Sequence, residues 1–373
     1  MNNQIKKSKI AVVHDHLGWP GGGERTALTI ALELGADFIT AYAHPQTYPE
    51  YQKQLGRKLV TLSEKVVNLE VVRFFWLRGL FWRNQKILKK YDILIASGQA
   101  ATEAVAKYAD SEAIKILYNH TPPRRIFDLY EKSKQGYKWF LRPLYAIFAR
   151  YWKWVYLKAM RKIDIDIANS ENVRRRMKEY AGEEVDYVVW PPILTEKFKW
   201  IRQGDYFLSW ARVDEHKRVD LIVKAFMKMP EKKLIVASGG SELEKVREMA
   251  KNCPNIKIVG WIDDAELFDL VGRCRAAIYI PINEDAGMTH LEANAAGKPV
   301  LGVAEGGLLE TMIDNETGIL IKPNPAESDI IKAVETMTPE WCLARKDKCA
   351  SHAMRYDKEI FCRKIKGIIS KYL

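Results

Sequence analysis

Two glutamates flank a glycine in one short run, PINEDAGMTHLEANAAGKP at positions 281–299. Glu284 precedes Gly287, and Glu292 follows it within a helical pattern. A glycine there lets the backbone approach a ligand closely. The amides of Gly287, Met288 and Thr289 stand where a helix start offers unpaired donors to a phosphate. With Glu284 on the loop and Glu292 on the helix, one carboxylate can then meet a sugar and the other a ribose. The plainer alternative makes Glu284 a dipole-favoured residue at the helix start and Glu292 part of a solvated face.

Arg212 and Lys217 lie upstream in SWARVDEHKRVD, at the end of an apolar run and the start of a helical one. A guanidinium gives bidentate donors and an ammonium a point charge, a pair suited to a diphosphate. The alternative is a solvated basic helix start. Gly239 and the pair Trp261–Ile262 follow the next two apolar runs. Gly22 and Gly23 sit in a glycine-rich turn at 21–24, a type that cradles anions. No G-x-G-x-x-G fingerprint accompanies that turn, which argues against a nicotinamide cofactor. His120 lies in YNHTPPRRIFD at 118–128. His14 and His16 flank Asp15, but no partner cluster is evident, so no metal is expected.

These residues need a scaffold that brings strand ends together. Strands are predicted at 9–15, 37–42, 92–97, 114–119, 165–169 and 187–190, with a helix at 25–34. In the second half strands fall at 206–213, 233–237, 256–261, 276–281, 299–303 and 318–321. Helices fall between and after them at 217–229, 241–253, 264–274, 288–296, 308–314 and 327–337. Such alternation predicts an α/β fold with parallel sheets covered on both faces. Pro191-Pro192 and the charged run after them mark a boundary at 190–204. The predicted layout is a domain at 1–192, a linker at 193–203 and a domain at 204–355. Ligands bind outside the carboxyl ends of such strands.

The chain has 373 residues, 47% hydrophobic and 28% charged, enough for two cores. Its net charge of +12 favours an anionic partner. Its five cysteines are odd in number and show no metal-ligand spacing, so reduced thiols in a cytoplasmic protein are expected. The polar start at 1–9 does not read as a signal peptide. No apolar run reaches the length of a membrane span.

The 281–299 run resembles the E-x-F-G-x-x-x-x-E signature of family 4 retaining glycosyltransferases and their GT-B relatives. Glu284, Gly287 and Glu292 match it; Ala286 stands where Phe is usual and His290 where Pro is common. The latter marks His290 as a candidate for an added donor or acceptor contact. The run at 209–220 is similar to the family's G-R-L…K-[GR] element, with Ala211 in place of Gly. Residues 21–24 resemble its G-G-x-E loop, 238–242 its G-x-G-P turn, and 302–310 its double glycine. The His120 segment is similar to the H-T-P-x-R segment of mannosyltransferases that build lipopolysaccharide O-antigen.

The resemblance implies a GT-B fold, two Rossmann-like domains facing each other across a cleft, with residues 356–373 returning to the first. It implies acceptor binding in the first domain and sugar-nucleotide binding in the second. Arg212 and Lys217 would stabilise the leaving diphosphate, Glu284 the sugar, and Glu292 the ribose. His120 would contact the donor hexose, and Gly22 and Gly23 would face the sugar and diphosphate. Gly239, Trp261 and Ile262 would lie at the nucleotide. The expected donor is GDP-mannose, with a UDP-sugar second, and the acceptor a glycan or lipid-linked glycan. Neither cofactor nor metal is expected.

Two basic aromatic stretches, at 73–83 and 137–158, interleave Lys and Arg with Trp, Tyr and Phe. They suit amphipathic helices with core aromatics, or an interfacial helix on anionic lipid at the inner face of the membrane. Stacking of single strands is also open to such a composition, but nucleic acid is not expected as a partner. Two other functions remain open: a sugar-nucleotide epimerase of the same shape, and a non-catalytic basic binding protein. The first lacks a matching acid/base set, and the second predicts a disrupted donor site.

Overall fold

The computed structural model describes residues 8–65, 67 and 69–373, so most of the polar start at 1–9 lies outside the described residues. The chain divides into two units. The first holds residues up to Trp190 plus Phe361–Leu373, and the second Pro191–Ile360.

In the first unit the order is β1 (Ile10–His14), α1 (Gly22–Leu34), β2 (Asp37–Thr40), α2 (Pro49–Leu55), β3 (Leu59–Thr61) and α3 (Glu70–Arg83). Then come β4 (Ile93–Ser97), α4 (Gln99–Tyr108), β5 (Ile114–Asn119), α5 (Tyr130–Gln135) and α6 (Arg142–Met160). β6 (Ile165–Ala168), α7 (Glu171–Ala181) and β7 (Tyr187–Val188) complete it. The strands form a seven-stranded sheet in the order β3-β2-β1-β4-β5-β6-β7, with parallel pairing. β4 reads ILIAS and is buried throughout, as expected of a strand covered on both faces.

The second unit runs β8 (Tyr206–Ser209), α8 (Val219–Met227), β9 (Lys233–Val236), α9 (Leu243–Ala250), β10 (Ile256–Ile258) and α10 (Asp264–Arg273). It continues with β11 (Ala276–Tyr279), α11 (Thr289–Ala295), β12 (Val300–Val303), α12 (Leu308–Thr311) and β13 (Gly318–Ile321). The last helices are α13 (Glu327–Thr336), α14 (Pro339–Leu343), α15 (Lys346–Ala353) and α16 (Lys358–Ile369). Its sheet is six-stranded and parallel, ordered β10-β9-β8-β11-β12-β13. In each sheet the winding reverses between two neighbours, β1 and β4 in the first and β8 and β11 in the second. A crevice opens at such a switch point.

Several expectations are corrected. The turn at 21–24 is already helix: α1 starts at Gly22, with Gly21 as its extended cap. The strand at 206–213 stops at Ser209, because Val213 turns away to donate its amide to Gly239. Residues 193–203 are no free linker. Ile193 and Phe198 are buried, and Phe198 meets Phe268 edge-on at 4.9 Å. The Lys298 and Lys346 ammoniums lie over the Trp200 ring. The return to the first unit begins at Phe361 rather than 356. There Phe361, Ile365 and Ile369 join a core with β1, β5 and α1.

If residues 193–203 are core, Phe198→Ala removes a buried ring and should cost about 3–5 kcal/mol. Urea unfolding checks this; a change below about 1 kcal/mol would mark the segment as a linker after all.

Candidate functional site

The second unit's site begins at the ends of β8 and β11. A one-turn helix, Glu215–Lys217, follows β8, and its start is capped by Asp214, whose Oδ1 accepts the His216 amide at 3.1 Å. This presents the Lys217 ammonium to the Glu284 carboxylate at 2.6 Å and to the Tyr279 hydroxyl at 3.1 Å. Both partners of the ion pair keep an exposed edge, 18% for Lys217 and 19% for Glu284. Burial works against the ammonium, but Glu284 and Tyr279 outweigh it and hold the Lys217 pKa above its usual value. Lys217 is therefore a permanent cation.

The loop carrying Glu284 is fixed from two sides. Beneath it Arg218, buried and with φ 52°, bonds Glu305 at 3.0 Å, Asn324 at 2.9 Å and the Ile280 carbonyl at 3.3 Å. Glu305 in turn accepts the amides of Asn283 at 2.9 Å and Asn324 at 3.1 Å. From the other side the double glycine closes on the loop. Gly307 donates to the Glu284 carbonyl at 2.8 Å. A Cβ on Gly306, at φ 57°, would stand 2.3 Å from the same carbonyl oxygen. Sequence reasoning named the double glycine for its pattern but missed Arg218 and Glu305. The signal was an arginine directly after Lys217 and an acid directly before the glycines.

Glu292 is not on a solvated face. It is 6% exposed, and its Oε2 accepts the Trp210 indole N–H at 3.3 Å. Gly287 has φ 73°, and a Cβ there would meet the His290 ring at 2.9 Å. Met288 is the cap of α11 and Thr289 its first residue. His290 is corrected: it is fully buried and contacts no ligand space. Its Nε2 lies 2.6 Å from the Thr311 hydroxyl, and its ring stacks on Tyr279. Burial pushes its pKa down to about 3. Ala286, in the usual Phe position, is buried under Gly307. Arg212 is not drawn into the Lys217–Glu284 group; it is exposed and paired with Asp214 at 2.8 Å. Gly239 touches the exposed Trp261 indole, and Ile262 beside it is half-buried.

The first unit has its own pocket, a cavity of about 510 Å³ at the ends of β1 and β4. His14 and Ser97 are register partners on those strands. The Ser97 hydroxyl lies 3.1 Å from His14 Nδ1 and 2.8 Å from His120 Nε2. Gly23 lies against the His120 ring, in the first turn of α1 with Gly22. Burial lowers both histidines to about 3, helped by His16 beside His14 and by His14 beside His120. Asp15, between His14 and His16, caps α4: its carboxylate accepts the Gln99 amide at 3.0 Å and the Ala101 amide at 2.7 Å. That gives the carboxylate of the His-Asp-His run a structural role at the start of α4.

The aromatic stretches divide by face. On α3 and α6, Phe74, Tyr145, Trp152 and Tyr156 are core. Leu144, Ile147, Tyr151 and Trp154 form an exposed stripe along α6. Among the described residues no helix is long and apolar enough to cross a membrane.

Comparison with known proteins places this geometry. The description "Glycosyltransferase Family 4" fits residues 20–195, and "Glycosyl transferases group 1" fits residues 193–349. The chain is 22% identical to alpha-1,3/1,6-mannosyltransferase ALG2 of Dictyostelium discoideum, over 85% of this chain and 87% of that one. Among solved structures, Anabaena Alr3699/HepE in complex with UDP and glucose superposes with a TM-score of 0.77. The identity is 16%, covering 97% of this chain and 100% of that one. Sucrose-phosphate synthase of Thermosynechococcus elongatus gives a TM-score of 0.79 at 14% identity, covering 98% and 99%. At these identities the likeness shows the shared fold.

The neutral histidines have a measurable consequence. The folded pKa values of His14 and His120 lie below the ordinary 6.5, so under acid the unfolded chain binds more protons. Stability is therefore full above about pH 6.5 and lost toward about pH 3, at up to about 1.4 kcal/mol per pH unit for each imidazole. Urea unfolding from about pH 6.5 to about pH 4.5 checks it. His14→Asn should flatten the slope, and a slope parallel to wild type would contradict the assignment.

Proposed function

Since this chain belongs to the GT-B glycosyltransferases of the group 1 and family 4 kind, we propose that it transfers mannose from GDP-mannose, with retention, to a glycan or lipid-linked acceptor. The observation that carries the reading is the Lys217–Glu284 pair, charged, half-open and held at the β8–β11 switch point. A permanent cation with an exposed edge suits a leaving diphosphate, whose charge grows as the glycosidic bond breaks. Arg212, exposed on the preceding loop, adds a bidentate donor once the phosphate draws it from Asp214. Glu284 takes donor-sugar hydroxyls and opposes positive charge on the ring. Glu292 holds the ribose, and Gly239, Trp261 and Ile262 border the nucleotide. The acceptor hydroxyl attacks the anomeric carbon from the face the diphosphate leaves, and a diphosphate oxygen takes its proton. His120 contacts the hexose as a neutral imidazole whose Nε2 is engaged with Ser97.

Mannose is supported by the His120 segment and by the mannosyltransferase relatives. A UDP-sugar is the second reading, supported by the UDP and glucose held in the solved neighbour. The α6 stripe of Leu144, Ile147, Tyr151 and Trp154, flanked by Arg150, Lys153 and Lys158, supports peripheral attachment to an anionic inner membrane face. No metal or cofactor is part of the mechanism proposed.

A thermal-shift series with GDP-mannose, UDP-glucose and ADP-glucose should give its largest rise with GDP-mannose. A rise with UDP-glucose alone would replace the donor. Glu284→Ala and Arg212→Ala should each lower kcat by about 10²–10³ with folding intact. Near-normal transfer in both would refute the site.

A further inference from the structure

A second cavity in the first unit plays no part in that chemistry. It measures about 320 Å³ and lies between α3, α4 and α6, at the small end of ligand-sized pockets. Its inner wall is apolar, with Phe81, Ala104 and Ala159 buried. Small residues on α4 and α6 leave the space open; larger ones would fill it, since interiors close on the volume available. The one acid in its lining, Glu103, is ion-paired with Arg78, whose guanidinium also lies 3.3 Å from the Phe74 ring centroid. That charge is satisfied within the wall.

The mouth is different. Lys107, Lys158 and Lys162 stand there, all exposed. Lys107 lies over the Tyr108 ring and Lys158 over the Trp154 ring, each at 5.1 Å. Among the described residues no carboxylate forms an ion pair with any of the three. The site is therefore an apolar slot with a cationic rim, complementary to a hydrocarbon chain that ends in an anion. Tyr151 and Trp154 line the slot and also belong to the exposed α6 stripe. The slot thus opens on the face assigned above to the membrane.

We propose that this cavity takes one acyl chain of an anionic membrane phospholipid, with the lipid phosphate against Lys107, Lys158 and Lys162. The choice of a bilayer lipid as occupant rests on the membrane-face reading; the slot and its charge do not. A chain drawn from the bilayer would hold the first unit by more than surface charge. It would also make attachment selective for anionic lipid beyond the general attraction of a basic face.

The test uses the full chain and calorimetry with short-chain lysophosphatidylglycerol below its micellar concentration. One saturable site per chain is expected, at least about tenfold tighter than for lysophosphatidylcholine of the same length. Ala159→Phe fills the slot from its floor and Val155→Trp from nearer the mouth. Whichever variant keeps the wild-type unfolding midpoint should lose binding at least about tenfold. Ile147→Asp, on the stripe outside the slot, should keep monomer binding while losing flotation with phosphatidylglycerol vesicles. Wild-type chain that binds the monomer but does not float would sink the membrane-face reading and leave the slot standing. Unchanged binding in both filled variants, equal binding of the two lysolipids, or glycerol phosphate binding as tightly as the lipid would each overturn the proposal.

Discussion

The ion pair between Arg218 and Glu305 is the constraint on which the proposed donor site depends. It joins segments far apart in the chain at 3.0 Å, both largely buried. Arg218 caps α8 directly after Lys217, and it also holds the carbonyls just after β11. Glu305 holds the Asn283 amide, next to Glu284. Lys217 is thus one peptide bond from Arg218, and Glu284 one peptide bond from the residue whose amide Glu305 holds. Burying charges is costly, and such a pair is weak support for stability by itself. Its value here is registry. The accompanying strain fits that view: Arg218, Asn283 and Asn324, three of the five non-glycine residues with positive φ among those described, all bond within this group. Such conformations persist where surrounding bonds fix them, and they collect at functional sites.

The glycines supply what the ion pair cannot. Gly306 and Gly307 let α12 begin directly against the Glu284 backbone, and Gly287 turns the loop over the buried His290 ring. Arg218 and Glu305 set the depth of the loop, and the glycines set how closely its cover approaches. The first unit solves a similar problem with fewer charges. A serine shared by two neutral imidazoles orients His120, and the carboxylate beside them is spent on capping α4. In both units the candidate residues sit where parallel winding reverses, the place at which strand ends leave a crevice.

Much of this was legible in order along the chain. Glu284, Lys217 and the strand ends that carry them could be read because residue type and local period both point to them. What stayed hidden depends on distant partners. Arg218 meets Glu305 across 87 positions, and no local pattern links them. His290 looked like a ligand contact because it stands where Pro is common in the family's signature; only Tyr279 and Thr311, brought in by the sheet, make it a core residue. Residues 193–203 looked like a linker because Pro191-Pro192 precede them and a charged run follows, while Phe198 finds its partner on α10. β3 is three residues long at a sheet edge, too short to show a period. Arg212 reads as a phosphate-type residue from its position, and in this structure Asp214 holds it.

The central claim is that Arg218–Glu305 positions the Lys217–Glu284 donor site. The most direct measurement is the affinity of Glu305→Gln for GDP-mannose by calorimetry, alongside its unfolding midpoint. Glutamine keeps the size and one acceptor but loses the charge and the second carboxylate oxygen. The account predicts a cooperatively folded chain that binds the donor at least about tenfold more weakly than wild type. Wild-type affinity in a folded Glu305→Gln chain would contradict it.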